Sequence, residues 1–435
     1  MTARLLAVLI LSAAAASAET PPAAEVTVLR AARLFDGRGE TSARDGVVIV
    51  EGGKIRAAGA GLAVPAGATV IDLGDATLLP GFIDAHTHLT GESSDNWYQE
   101  QVDDLRRGVP EKAIRATELA RRTLEAGFTT VRDVGASDYV DVALRNSINA
   151  GVVPGPRMLV AAYSLGARGG HCDLTGFPHM LFGRESGLAE GVASGAAGFR
   201  DAVRMQIKYG ADVIKTCATG GVLSLADDVD TPQLAQEEMD AIVEEAHRLR
   251  RKAAAHAHGA EGAKVAIRAG IDSIEHGSFL DDEAVRMMKE RGTYLVPTLM
   301  AGEYITRPQR QYPPEIAAKA KAARAARSAA FQRAANAGVR IAFGTDSGVS
   351  PHGRNAEEFA LLVAHGLTPA AALRTATSVG AALLGLDGLL GTLAAGKEAD
   401  VIAVPGDPLA DVRATEKVLF VMRGGKVFRN DRARP

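Results

Sequence analysis

Five apolar stretches along this chain carry residues that bind metals or move protons, each at or just past the end of a strand-like run. LPGFIDAHTHL carries His86 and His88, ADVIKTCATGG carries Lys215, AAAHAHG and the following SIEHG carry His256 and His276, and IAFGTDSG carries Asp346. One HxH pair alone is most simply two satisfied core histidines. The whole set is far more specific, and it constrains the fold. An architecture for this chain must bring the C-terminal ends of several strands to one place.

The middle of the chain alternates strand and helix. The expected strands are LLPGFIDAH, FTTVRDV, RMLVAAY, ADVIKTC, AAAHAHG, SIEHG, TYLVPTL and IAFGTDS. Several helices end in a glycine one or two residues before a strand, as in EAGFTTV, KYGADVI, RAGIDSI, ERGTYLV and NAGVRIAF. Such a glycine takes the left-handed conformation that closes a helix. Eight alternating units predict a (β/α)8 TIM barrel, in which all strand ends meet on one face. A doubly wound open sheet is the competitor, but no GxGxxG follows the first strand. Both chain ends instead read as short strands broken by glycine, from VTVLRAARLFDG to ATVIDLGDATLLP and from GTLAAGKEADVIAVPG to VLFVMRGGKVFRN. They predict a small β-sandwich built from both termini. The expected partition is 1–18 as a signal peptide, 19–79 and 389–435 as the sandwich, and 80–388 as the barrel.

Residues i and i+2 of a strand face the same side. His86 and His88 can therefore share a metal, with Asp84 on the same face suited to orienting a ligand or a turn. Lys215 follows Ala211–Asp212–Val213–Ile214 in a buried-looking strand, where an unpaired ammonium is costly or loses its proton. A neutral lysine there can add carbon dioxide to give a carbamate that bridges two metals; the plain alternative is a salt-bridged lysine. His256 and His258 share a face, His276 ends the next strand, and Asp346 ends the eighth. A carboxylate at that position can bind a metal and also move a proton. Together these residues predict a centre for two divalent ions.

The same segments resemble the amidohydrolase superfamily over nearly all of the chain after its first residues. PGFIDAHTH is similar to the superfamily's first-strand motif, and KTCATGGVLS, HAHG, EHG and GTDSGVSPHGRNAEE resemble its Xaa-Pro dipeptidase-like, prolidase-type branch. The resemblance implies two divalent metals, expected to be Zn2+. His86 and His88 would hold one, the Lys215 carbamate would bridge, His256 and His276 would hold the second, and Asp346 would complete the first. It also implies hydrolysis by a metal-bridging hydroxide, with Asp346 as the catalytic acid–base. The substrate would be a small molecule or dipeptide with a free carboxylate beside the amide bond, cleaved in dipeptidase or carboxypeptidase fashion. Candidates to hold that carboxylate are Arg168, His171, His258, His352 and Arg354, with the GGH histidine, His171, favoured by the family branch. Rival readings are a cyclic amide, a lactone or a mycotoxin-type aromatic N-acyl amino acid such as ochratoxin, and, from another class, a non-catalytic metal- or ligand-binding protein. Mononuclear deaminases lack the bridging lysine.

The chain's bulk properties narrow the rest. It has 435 residues with 49 basic and 52 acidic side chains, a net charge of −3, so nothing in its charge favours nucleic acid. The Ala/Lys/Arg-rich segment EIAAKAKAARAARSAAFQRAANAG reads as a solvated helix. Its two cysteines, Cys172 and Cys217, are too few for a thiolate zinc site. They read as free thiols, with one bridge between them as the alternative. A homo-oligomer is compatible with the sequence, which sets no subunit number. Arg4, the apolar run Leu5–Ala16 and the small residues Ala16 and Ala18 fit a cleaved signal peptide, which would export the protein to a periplasm or the medium and leave no membrane segment behind. Cleavage is expected between Ala18 and Glu19. Mass spectrometry of the native protein checks this, and an intact Met1 start would refute it.

Overall fold

The computed structural model describes residues 25–178, 181, 185–225 and 227–432. The expected signal peptide lies outside them.

The N-terminal part forms five strands: β1 (Val26–Leu34), β2 (Ala43–Glu51), β3 (Lys54–Ala60), β4 (Thr69–Asp72) and β5 (Ala76–Pro80). The chain then enters β6 (Phe82–Thr87), the helices α1 (Trp97–Arg106) and α2 (Val109–Glu125), β7 (Phe128–Asp133), α3 (Val140–Asn149) and β8 (Arg157–Val160). Two short strands follow, β9 (Gly166–Ala167) and β10 (Val192–Ala193), and then α4 (Gly195–Lys208) and β11 (Val213–Cys217). Next come α5 (Gln236–Arg248), β12 (Lys252–Gly259), α6 (Ala260–Ala269), β13 (Ser273–Phe279), α7 (Asp282–Arg291) and β14 (Tyr294–Val296). The helices α8 (Leu299–Ile305), α9 (Pro314–Ala337), α10 (Glu357–Ala364), α11 (Pro369–Thr375) and α12 (Ser378–Leu384) precede β15 (Val401–Pro405), β16 (Phe420–Arg423) and β17 (Lys426–Asn430).

The two chain ends meet in one eight-stranded sheet, ordered β17-β16-β15-β5-β1-β2-β3 with β4 beside β1. The join is the antiparallel pair β5–β15, running from Ala76 opposite Pro405 to Pro80 opposite Val401. Leu29, Val48, Ile55, Leu78, Val401 and Phe420 pack into its core. The central region holds two parallel sheets, β6-β7-β8 and β11-β12-β13-β14. Between β8 and β11, Asp212 N–H donates to Val160 O and Leu165 N–H to Lys215 O. Between β14 and β6 runs the segment Arg340–Ser347. Ala342 N–H donates to Leu295 O, Ala85 N–H to Phe343 O and His88 N–H to Ser347 O.

The expected eighth strand, IAFGTDS, is thus an extended segment joined by isolated bridges, not a regular strand. Asp346 has φ 58°, which breaks a continuous β ladder at that point. The ordered ladders therefore form two sheets with bridged seams instead of one continuous barrel. The helix-ending glycines behave as their sequence predicts: Gly127, Gly210, Gly270, Gly292 and Gly338 all have positive φ. The segment read as a solvated helix is α9, and its buried side chains include Ile316, Ala323, Arg327 and Phe331. It is a packing helix with one charged residue on its inner face.

Candidate metal centre

Two groups of ligand-type side chains meet at the C-terminal ends of the parallel strands. His86 is the last but one residue of β6 and His88 follows the strand, and the Nε2 atoms of both face Asp346 Oδ1, at 3.5 and 3.4 Å. His256 and His258 on β12 and His276 on β13 form the second group. Within each group the ligating atoms lie within 4.8 Å of one another. The groups adjoin, with the His86 and His276 ring centroids 4.9 Å apart. Lys215 on β11 lines the same cavity, whose volume is about 870 Å³.

Hydrogen bonds set the ring each histidine presents. The Nδ1 atoms of His86, His88, His258 and His276 are engaged by Glu275 (2.7 Å), Gly135 O (2.8 Å), Ser278 Oγ (2.8 Å) and Thr298 Oγ1 (2.7 Å). In each case Nε2 is left for the centre. His256 is reversed: its Nε2 meets Gly220 O at 3.1 Å and leaves Nδ1. A polar partner on the far nitrogen is the usual support of a ligating imidazole. Burial, followed by neighbouring cationic groups, holds His256, His258 and His276 well below the ordinary imidazole pKa, in the neutral form that binds metal. Burial alone would raise Asp346, but the adjacent His86 and His88 rings outweigh it and keep the carboxyl ionised. The donor set, neutral imidazoles around a carboxylate, fits divalent zinc.

Lys215 is buried, and burial lowers its pKa to about 8. Among the described residues its ammonium makes no hydrogen bond or ion pair, so the salt-bridged alternative is not realised. Its charge helps to lower the pKa of His256 and His276 and opposes the rise that Asp346 causes at His88, so it acts on both groups.

Asp84 takes the orienting position expected for it. It accepts from Thr345 Oγ1 (2.7 Å), Asn355 Nδ2 (2.8 Å) and the N–H groups of His86 and Thr345. It thereby ties β6 to the Asp346 segment. The backbone at His276, Thr298 and Asp346 is left-handed, with φ 70°, 47° and 58°. Non-glycine residues hold such angles only where the surroundings over-determine them, a pattern common at functional sites.

The predicted substrate-binding residues divide. His171 and His258 line the cavity, and the His171 ring lies 4.3 Å from that of His256. Gln233 Oε1 and Ser224 Oγ hold His171. Gly221 makes room for it, since a Cβ there would stand 2.1 Å from the imidazole. Arg168, His352 and Arg354 are not among the described residues that line the cavity. Arg168 is exposed on the loop after β9, and His352 is buried against Gly91 O and Glu92. Arg354 is an exposed partner of Glu357. The cysteines are also corrected. Cys172 and Cys217 are paired, their Cα atoms 5.9 Å apart, because the loop after β9 folds over the end of β11. The bridge joins the residue after His171 to the strand that carries Lys215.

Sequence reasoning missed Glu275 and Arg132, both fully buried. Glu275 holds His86 and also accepts from Arg132 Nη2 at 2.8 Å. Burial opposes ionisation of Glu275, but Arg132 and His86 lower its pKa to about 2. A charged residue inside an otherwise apolar strand run, in SIEHG and in FTTVRDV, was the available signal.

The amidohydrolase family model matches residues 77–428. This chain belongs to the amidohydrolase family. It is an amidohydrolase enzyme, and its family is metal-dependent. Ochratoxinase of Aspergillus niger is 33% identical over 426 residues, covering 93% of this chain and 87% of that protein. The structure of a Xaa-Pro dipeptidase with methionine bound in its active site superposes with a TM-score of 0.88 at 38% identity, covering 93% of this chain and 100% of that one. A prolidase complexed with N-methylphosphonate-L-proline superposes with a TM-score of 0.82 at 30% identity, over 93% and 100% of the two chains.

Replacing Glu275 with Gln keeps the shape but removes the charge behind His86. Zinc affinity of this amidohydrolase should fall by about 10- to 100-fold, the usual loss when a ligand's supporting carboxylate goes. Competition with a chromophoric chelator measures it, and unchanged affinity would contradict the assigned role.

Proposed function

We propose that this amidohydrolase cleaves an amide bond next to a free carboxylate, in a dipeptide or an N-acyl amino acid. Two divalent ions, zinc by the donor set, would be held by His86, His88 and Asp346 on one side and by His256 and His276 on the other. Lys215, as its carbamate, would serve both. The observation that carries this reading is the pair of adjoining ligand groups with a buried, unpaired lysine acting on each. When bound, the ions supply an acidified water and polarise the scissile carbonyl.

The chain's own residues do the rest. Asp346 Oδ1 faces the two imidazoles, and its other oxygen is available to take the proton of the attacking water and deliver it to the leaving nitrogen. His258 and His171 line the cavity as further candidates to contact the substrate's carboxylate, His171 fixed there by Gln233 and Ser224. Such hydrolysis needs no serine or cysteine nucleophile. A pure metal-binding role is disfavoured, because storage has no use for a carboxylate poised as a proton carrier.

The two parallel sheets are read as one distorted (β/α)8 barrel, and the sheet from both chain ends as its β-sandwich, with boundaries after 79 and 388. Among the described residues no helix is long and apolar enough to cross a membrane. The export reading rests on Met1–Ala18 alone. A second substrate reading, an aromatic N-acyl amino acid of the ochratoxin type, is favoured by the 33% identity to ochratoxinase and by Leu105, Leu174 and Phe177 on the cavity wall.

Elemental analysis should find about two metal ions per chain, and Lys215→Ala should lose most of one ion and most activity. A fully active protein with one ion or none would sink the binuclear assignment. Asp346→Asn should lower kcat by a factor on the order of 100 or more even in metal-replete protein, the scale of lost acid–base catalysis. Steady-state kinetics on a panel of Xaa-Pro, Xaa-Met, Xaa-Phe and N-acyl amino acids measures this and ranks the two substrate readings.

A further inference from the structure

The buried face of α9 follows helical spacing through Ile316, Ala320, Ala323, Arg327, Ala330 and Ala334. Five of these six positions are apolar and mostly alanine, which lets the helix lie close to the strands. The sixth sends a guanidinium inward. Arg327 is 6% exposed and lines the same cavity as His258, His276 and Asp346.

Its hydrogen-bond partners carry no counter-charge, and the carboxyl groups of Glu358 and Asp346 act on it only at a distance. One terminal nitrogen, Nη1, donates to Thr298 O at 3.1 Å and Leu299 O at 3.2 Å. The Nε atom is buried with no hydrogen-bond partner. Among the described residues Nη2 has none either, and the guanidinium enters no ion pair. Glu358 lies nearby, but its two oxygens accept from the N–H groups of Leu299 and Met300. Asp346 faces His86 and His88. The unused Nε–Nη2 edge is the fork that grips a carboxylate with two parallel hydrogen bonds. A buried cation without a counter-charge is costly unless something supplies one.

Gly302 on α8 makes the position available. A Cβ there would stand 2.3 Å from Arg327 Nη1 and 2.8 Å from its central carbon. The neighbours Ala301 and Ile305 wall the same part of the cavity. His258 lines the same cavity, its Nδ1 tied to Ser278 Oγ.

We propose that Arg327 takes the free carboxylate of the substrate and so selects amide bonds adjacent to one. This rests on the functional reading above, and it replaces Arg168 and His352 as the cationic contact. Nη1 anchors the side chain to the corner between β14 and α8, and the substrate completes the fork.

The test uses alanyl-proline and alanyl-methionine with their C-terminal amides as probes. Wild type should prefer the acids. Arg327→Met should raise KM for the acids by about 10- to 100-fold, the scale of a lost charge-assisted hydrogen bond, with little change for the amides. Arg327→Lys should recover part of the loss, because it keeps the charge without the fork. Gly302→Ala, which displaces the guanidinium, should reproduce the acid-specific loss and serves if Arg327→Met does not fold. Equal losses on acids and amides would make Arg327 a packing residue and overturn the proposal while leaving the functional reading intact. A wild type that prefers amides would overturn both. Calorimetric binding of proline and methionine against their amides makes the same comparison without turnover, and no preference for the acids would also refute the role.

Discussion

A buried chain of charge runs through the middle of this enzyme, from Arg132 through Glu275 to His86. Arg132 donates to Ala85 O, Ser273 Oγ and Glu275 Oε1, and Glu275 Oε2 meets His86 Nδ1. Three strands, β6, β7 and β13, are tied by it. Each charge is fully buried, so each depends on its partner; removing one member of such a pair costs about 3–5 kcal/mol because the other is left uncompensated. The arrangement brings specificity more than net stability. It places one imidazole, in one orientation, on the wall of a cavity.

The neighbouring geometry depends on that placement. Asp84 carries the constraint to the Arg340–Ser347 segment through Thr345 and Asn355. That segment gives up regular strand pairing at Asp346, whose left-handed backbone turns the carboxylate toward His86 and His88. His276 and Thr298 are left-handed as well, and the bond between their side chains fixes the ring. Three left-handed non-glycine residues thus stand where ligand-type atoms converge, and the packed sheets around them bear the cost. The loop carrying His171 is held from the opposite side by Cys172–Cys217 and by Gln233.

Relatives with known structures share this scaffold over nearly the whole chain, with TM-scores of 0.88 and 0.82 for a Xaa-Pro dipeptidase and a prolidase. Scaffold alone does not choose a substrate. In this chain the choice falls to a few cavity residues outside the ligand set. Arg327, buried among them with a free guanidinium edge, is the residue proposed to read the substrate's carboxylate.

The sequence by itself determined the ligand-type residues, the order of strands and helices, and the meeting of the two chain ends. Those features are local: a two-residue strand period puts His86 and His88 on one side, and a glycine closes a helix wherever a strand must follow. Glu275, Arg132 and Arg327 were legible only as charges in apolar surroundings, because their partners lie far away in the chain. The cysteine pairing, the irregular eighth segment, and the positions of Arg168 and His352 away from the cavity wall were decided by tertiary structure alone. Whether a loop folds over a strand end, or a guanidinium reaches a cavity, depends on distances between segments that no local pattern encodes.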